Sequence, residues 1–316
     1  MKLKLMIIAI SLTSFSGIAG GFDFGKLIEE QLKRESTQPA PTQPAPTQPA
    51  PTQPAPTSQP AAATQPAPQP AKPKFDPFQL GMTLLKDYSV EEEMRIGRQI
   101  AGNLLGAAPL VKDDALQQYV NLVGNWVALQ SGRSDIPWRF GVLENDAINA
   151  FAAPGGYIFV TKGLYRRLNS EAELAGVLAH EIAHVTNKHH LKVLKKSSLI
   201  GALGEAAGRK VEGSDQIVQN LIGNGAEIMA RSLDREAEFE ADRHGMVFAA
   251  RAGYDPWGLP NVLQGLATLP NDSRTSLLFK THPHPADRLA TLGDAVGERL
   301  DQVSGKDLAD RFYRIR

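Results

Sequence analysis

Residues 178–184 read Leu178-Ala179-His180-Glu181-Ile182-Ala183-His184. This is an HExxH pattern inside a strongly helical stretch. Histidines four residues apart lie on one helix face, about one turn apart. Both imidazoles can therefore reach a single metal ion. Glu181 follows the first histidine, so its carboxylate can reach a water beside that ion. The combination is what zinc-assisted hydrolysis of a peptide bond requires. Taken alone, the motif also fits a solvated helix that carries two histidines by chance, so its neighbours decide the reading.

Upstream, Ser170-Glu171-Ala172-Glu173 has the form of a capping box that opens the motif helix. Leu174, Val177, Leu178 and Ile182 can bury the side away from the histidines. Lys188 and Lys192 crowd the helix end, where the dipole favours them. His189 and His190 read as part of a basic, exposed helix end, and His244 receives the same reading. Yet all seven histidines fall between positions 180 and 284. A catalytic zinc takes three protein ligands, so a third should come from another element. The carboxylate-rich run Arg235-Glu236-Ala237-Glu238-Phe239-Glu240-Ala241-Asp242 supplies it. Glu238 is the first choice, with Asp242 one turn later able to hydrogen-bond a ligand histidine. Glu236 and Glu240 form a competing pair, and spacing alone does not separate the two. Part of this run should be a solvated face with helix salt bridges. Further on, Thr281-His282-Pro283-His284-Pro285 is a proline-rich turn. From it His282 could project into a cleft, to bind an oxyanion or to take the open position on the zinc. Arg288, about two helical turns on, could stabilise developing negative charge.

The whole chain sets limits on this chemistry. It has 316 residues, with 34 basic and 34 acidic side chains. That balance argues against nucleic acid as a partner. There is no cysteine, hence no disulfide framework, no thiol nucleophile and no Cys-based zinc site. A site built from His and carboxylate favours a catalytic zinc, one per chain, over a closed structural one. At the N-terminus, Lys2 and Lys4 precede a short apolar stretch from Leu5 to Phe15, and Gly17-Ile18-Ala19 offers small residues before a cut. Residues 1–19 are predicted to be a secretory signal peptide. The apolar run falls short of the roughly 20 residues of a spanning helix. No cysteine follows, so the chain is not expected to be a lipoprotein. A periplasmic protein with no integral membrane span after signal cleavage is predicted.

Residues 20–36 form a short segment in which Phe22 to Arg34 could be an amphipathic helix. Residues 37–74 repeat Pro-Ala-Pro-Thr-Gln, too poor in large apolar side chains to offset ordering entropy. They are predicted to be a disordered Pro/Thr/Gln/Ala linker. The folded domain should run over 75–316. Ser89-Val90-Glu91-Glu92 predicts a capped helix with Ile96, Ile100 and Leu104 along one face, and a second helix is expected from about Asp114 to Gln130. Trp138 to Leu143 reads as a strand. Asn149 to Ala152 and Gly156 to Thr161 read as hairpin arms around Pro154-Gly155. Leu194 to Asn224 reads as a Gly-rich helical cover, Ala226 to Ala252 as one long helix stopping at Gly253, and Asp255-Pro256 as the start of another. Helices are also expected over His284 to Leu292 and Lys306 to Tyr313.

Taken together, the HExxH run, the stretch from Arg231-Ser232 to Glu238-Phe239-Glu240-Ala241-Asp242 and Thr281-His282-Pro283 resemble the gluzincin peptidases related to HtpX, the CAAX prenyl protease and the mitochondrial Oma-type protease. The likeness is nearest to the exported bacterial branch typified by BepA, without its tetratricopeptide repeats. The resemblance implies an α+β, mostly helical, zincin-like fold with a small β-sheet beside the active-site helix. It implies Glu238 as third zinc ligand, Asp242 as its support, and His282 as a group that can approach and block the zinc. Asn149 to Val160 resembles the family's edge-strand segment. The function expected is a zinc-dependent endopeptidase acting on extended polypeptides, namely unfolded or misassembled envelope or outer-membrane proteins. Glu181 would be the general base, and the substrate would lie beside Gly156 to Thr161 as an added strand. Two alternatives stand beside it. One is a zinc-bearing periplasmic chaperone or assembly factor with latent proteolysis; the other is a helical binding module whose histidines are structural.

Overall fold

The computed structural model describes residues 87–206, 233–300 and 302–315. The predicted signal peptide, the Phe22–Arg34 helix, the linker and the domain start at Phe75 lie outside the described residues. So do positions 207–224 of the Gly-rich cover and Arg231-Ser232.

The first helix, α1 (Val90–Ala107), opens as predicted. Ser89 Oγ accepts from the Glu92 amide at 3.2 Å, and Glu92 Oε2 accepts from the Ser89 amide at 2.8 Å. This reciprocal pair satisfies two N–H groups that have no intrahelical partner. Helix α2 (Asp114–Ala128) is capped by Asp113 and ends in a 3₁₀ turn over Leu129–Ser131. Strands β1 (Arg139–Leu143), β2 (Ala150–Ala153) and β3 (Tyr157–Thr161) form one sheet in the order β1-β3-β2. β1 runs parallel to β3 and β2 antiparallel to it. The hairpin expected around Pro154-Gly155 is present, with Gly155 at φ 72° and Gly156 at φ 88°. Those left-handed dihedrals suit glycine and let the two arms reverse.

Both faces of the sheet are covered, so its strands are apolar apart from Arg139 and Thr161 at their ends. Ile158, Val160, Ala150 and Ala152 join the main core. Phe159, Phe151 and Ala153 point the other way, against Ile96, Ile100 and Leu104 of α1. After a short helix α3 (Lys162–Tyr165) comes α4 (Glu171–Thr186), the axis of the domain. Every residue from Glu171 to Val185 is buried. The amphipathic pattern expected there understated this: α4 contacts α2, β2 and the later helices around its circumference. Such all-round burial stabilises by about 1.5–3 kcal/mol for each large aliphatic side chain. Its cap differs from the expected box. Ser170 Oγ accepts from the Glu173 amide, but Glu173 Oε2 accepts from the amide of Asn169, one residue earlier.

Helix α5 (His189–Ala206) follows α4 after a two-residue break. Helix α6 (Arg235–Arg251) begins later than expected, because the Asp234 side chain caps it by accepting from the Ala237 amide. It ends near Gly253, at φ 87°, as predicted. Helix α7 (Gly258–Ala267) starts three residues after Asp255; the Asp255 carboxylate instead accepts from the Trp257 amide in the preceding turn. Helices α8 (Ser276–Thr281) and α9 (Pro285–Val296) complete the fold. The helix expected over Lys306 to Tyr313 does not form. That stretch bridges Tyr254 through Lys306 and makes only a 3₁₀ turn over Ala309–Arg311. Tyr313 and Arg311 there reach Asp113 and Glu171, contacts that a continuous helix would not direct to both. Among the described residues, no helix is long and apolar enough to cross a membrane. The architecture is the expected α+β one: mostly helical, with a small sheet beside the HExxH helix.

Candidate metal centre

Helix α4 presents His180 and His184 on one face, with their Nε2 atoms 3.0 Å apart. Helix α6 crosses α4 closely because Gly245 has no side chain: a Cβ there would lie 2.9 Å from the His180 amide nitrogen. The crossing brings Glu238 to the histidines, with Oε1 3.5 Å from His184 Nε2 and Oε2 3.7 Å from His180 Nε2. Pro283 stops α8 and forces the residue before it into extended backbone. His282 accordingly sits at φ −127°, ψ 149° and turns inward, its Nδ1 2.7 Å from Glu238 Oε2.

One ligand atom from each of His180, His184, Glu238 and His282 lies within 4.8 Å of all the others. Two imidazole nitrogens facing each other at 3.0 Å need a cation or a proton between them. Glu238 is fully buried, and its Oε1 accepts no hydrogen bond among the described residues. A buried carboxylate oxygen left so is costly unless a cation meets it. Two nitrogens and a carboxylate fit zinc well. Burial, then the neighbouring imidazoles, push the His184 pKa well down, so the ring is neutral as a ligand must be. Burial opposes ionisation of Glu238, but His282 and His180 hold its carboxyl below the usual carboxylate range. Burial likewise opposes the charged form of His282, and Glu238 outweighs it, raising that pKa.

Of the two carboxylate pairs, the fold brings one to the histidines. Glu238 and Asp242 face the histidines, while the Glu236 side chain is 78 % exposed and pairs with Arg243. Asp242 Oδ1 lies 2.9 Å from His180 Nδ1. Arg288 Nε donates to Asp242 Oδ2 at 2.9 Å, and Arg288 Nη2 also contacts Oδ1. Arg288 therefore stands beside His180 and pairs with Asp242, while its Nη2 also lies 3.2 Å from His180 Nδ1 and 3.4 Å from His180 Nε2. Burial opposes the Asp242 charge, but Arg288 holds the carboxyl far below its usual range.

Glu181 is buried beside these side chains, and that burial raises its pKa. It lines a small cavity with Phe151, Ala152, His184, His190 and His282. The cavity holds about 10 Å³, room for roughly one water. On its other side lies an apolar cavity walled by Val177, Leu259, Val262, Leu263 and Leu278.

The expectation that His189 and His190 are exposed is corrected: they are 3 % and 8 % exposed. Lys188 adopts the left-handed conformation, φ 54°, and turns the chain so that the first turn of α5 folds back against α4. His189 Nδ1 comes to 2.9 Å from His184 Nδ1, and its Nε2 to 3.1 Å from Glu240 Oε2. Burial pushes the His190 pKa down to about 4. Asn187-Lys188, a polar break four residues past a helical histidine, was the only sequence signal for this reversal. His244 is only half-buried and bonds to Asn187, away from the cluster.

The placement of the edge is also corrected. Gly156 to Thr161 leads into and forms the central strand β3, which is paired on both sides and cannot accept an added strand. The strand that lines the cavity is β2, paired only with β3 among the described residues. The Thr161 amide donates to the Asn149 carbonyl. By antiparallel alternation, Ala150 and Ala152 then turn their own N–H and C=O groups away from β3.

A helix-borne histidine pair, a carboxylate from a crossing helix and a buried glutamate beside them are the arrangement of a metallopeptidase. The chain belongs to peptidase family M48, whose model matches residues 114–296. It is 33 % identical over 234 residues to the Beta-barrel assembly-enhancing protease of Escherichia coli (strain K12), covering 71 % of this chain and 48 % of that protein. The protein of the same name from Yersinia pestis is 34 % identical over 237 residues, 72 % of this chain and 49 % of its own. The Mitochondrial metalloendopeptidase OMA1 of Schizosaccharomyces pombe is 28 % identical over 181 residues, 57 % of this chain and 53 % of its own. The chain thus spans about half the length of the curated relatives it matches.

Proposed function

We propose that the protein is a zinc endopeptidase of the bacterial envelope that hydrolyses unfolded or misassembled outer-membrane proteins. The observation that carries this reading is the convergence of His180, His184 and Glu238 beside Glu181. The substrate class is supported by the relatives, which are beta-barrel assembly-enhancing proteases, and by β2, whose outward backbone groups suit an extended chain. The periplasmic location is supported by the signal-like residues 1–19, with 37–74 as a spacer before the peptidase domain.

His180, His184 and Glu238 would hold one zinc, which lowers the pKa of a water and polarises the scissile carbonyl. Asp242 accepts from His180 Nδ1–H, which directs the Nε2 lone pair inward. Glu181 takes the proton as the water attacks. Glu181 then gives that proton to the leaving amine. Ala150 and Ala152 align the peptide by strand addition.

The test is cleavage of a denatured outer-membrane protein by wild type and Glu181→Gln. A loss of about 10²–10⁴-fold is expected for the variant, the usual range for general acid–base catalysis. Full activity in Glu181→Gln would overturn the mechanism.

One observation favours a second reading, an assembly factor whose proteolysis is latent. The cavity beside Glu181 admits about one water, and His282 joins the ligand cluster. Among the described residues, β2, His282 and Leu233 wall this cavity and would have to give way to a peptide. Under that reading Glu181→Gln would still keep denatured outer-membrane protein from aggregating.

A further inference from the structure

We propose that His189 and Glu240 are positioning residues that orient His184 through a relay of two hydrogen bonds, as Asp242 orients His180 through one. The inference rests on the metal site proposed above. His184 Nε2 faces the ligand cluster, 3.0 Å from His180 Nε2 and 3.5 Å from Glu238 Oε1. To offer a lone pair there, the neutral ring must carry its proton on Nδ1. That N–H points at His189 Nδ1, 2.9 Å away. His189 must then accept at Nδ1, which puts its own proton on Nε2. His189 Nε2 in turn lies 3.1 Å from Glu240 Oε2, and so donates to it. Each tautomer is forced by the one before, and every donor meets an acceptor.

The two ligand histidines are thus held alike from behind. Asp242 acts on His180 directly, at 2.9 Å. Glu240, on the partly exposed flank of α6, acts on His184 through an interposed ring. His189 has no place among the four groups that share the cluster. The reversal at Lys188 is what allows the relay, because α4 continued straight would carry position 189 away from His184. Burial favours the neutral His189 ring, and the bond from His189 holds the Glu240 carboxyl below its usual range.

The experiment is zinc affinity, measured by competition with a chromophoric chelator, and the absorption spectrum of the cobalt-substituted protein. Wild type is compared with His189→Phe, His189→Gln and Glu240→Ala. Phenylalanine keeps the ring volume without the bonds, and glutamine can both accept from His184 and donate to Glu240. His189→Phe should bind zinc about 10–100-fold more weakly, with an altered cobalt spectrum, the usual cost of losing a group that orients a ligand. His189→Gln should stay within about threefold of wild type, because a conservative acceptor preserves the orientation. The inference is overturned if His189→Phe matches wild type in both readouts, or if His189→Gln is as weak as His189→Phe. If His189→Phe fails to fold, Glu240→Ala decides, since that side chain is 37 % exposed. Unchanged zinc affinity in Glu240→Ala overturns the relay, and weakened affinity supports it. A wild-type chain that binds no zinc would instead overturn the metal reading beneath it.

Discussion

Arg288 and Asp242 form a buried ion pair against the His180 ring. Arg288 Nε donates to Oδ2 at 2.9 Å, and the Oδ1 of the same carboxylate lies 2.9 Å from His180 Nδ1. The side chains are 4 % and 0 % exposed. Replacing Arg288 by methionine keeps the volume but leaves Asp242 buried without its cation. Breaking a buried pair in this way costs about 3–5 kcal/mol. Urea denaturation of the zinc-free Arg288→Met variant should show that loss. A change below about 1 kcal/mol, the range of an exposed pair, would mean the pair does not support the site.

Gly245 sets the distance between the two helices that supply the histidines and Glu238. A Cβ at this position would lie 2.9 Å from the nitrogen and 3.0 Å from the Cα of His180, backbone atoms that cannot step aside. Gly245→Ala should therefore destabilise by about 1–3 kcal/mol, the cost of overpacking, and weaken zinc binding. Gly265, exposed in α7 with nothing within 4 Å, is the control. Gly265→Ala should stabilise by about 0.5–1 kcal/mol through helix propensity. Thermal unfolding with a metal titration measures both. Equal behaviour of the two variants would contradict the close-approach argument.

The edge of β2 gives a test of substrate alignment that leaves the metal untouched. Ala152 turns its N–H away from β3 by the register of the hairpin. Proline is tolerated in an edge strand where its missing donor faces outward. Ala152→Pro should keep zinc while losing about tenfold or more in cleavage of an unfolded protein, about 1.4 kcal/mol or more of lost transition-state binding. Wild-type turnover in this variant would remove strand addition from the account.

Much of this site could be read before the fold was known, because helix spacing is a local rule. His180 and His184 share a face by arithmetic alone, and Thr281-His282-Pro283 announces an inward turn through the constraint that proline places on its neighbour. Choosing Glu238 over Glu240 is a different problem. Both lie on one helix, and only the crossing at Gly245 decides which faces α4. Resemblance supplied that choice where spacing did not. His189 was misread because a single left-handed residue, Lys188, reverses the chain, and lysine carries no strong sequence mark for that conformation. The central place of β3 was misread for a related reason. A hairpin's register is local, but which of its arms meets β1 is a matter of topology.

The central claim is that side chains from α4 and α6 together hold one catalytic zinc. Metal analysis of the purified protein beside a Glu238→Gln variant tests it most directly. The account expects one tightly held zinc per wild-type chain and a loss of about 10²-fold or more in affinity when the anionic ligand becomes neutral, since a catalytic site has only three protein ligands. A wild-type chain with no stoichiometric divalent metal, or a Glu238→Gln variant that holds zinc as tightly, would contradict it.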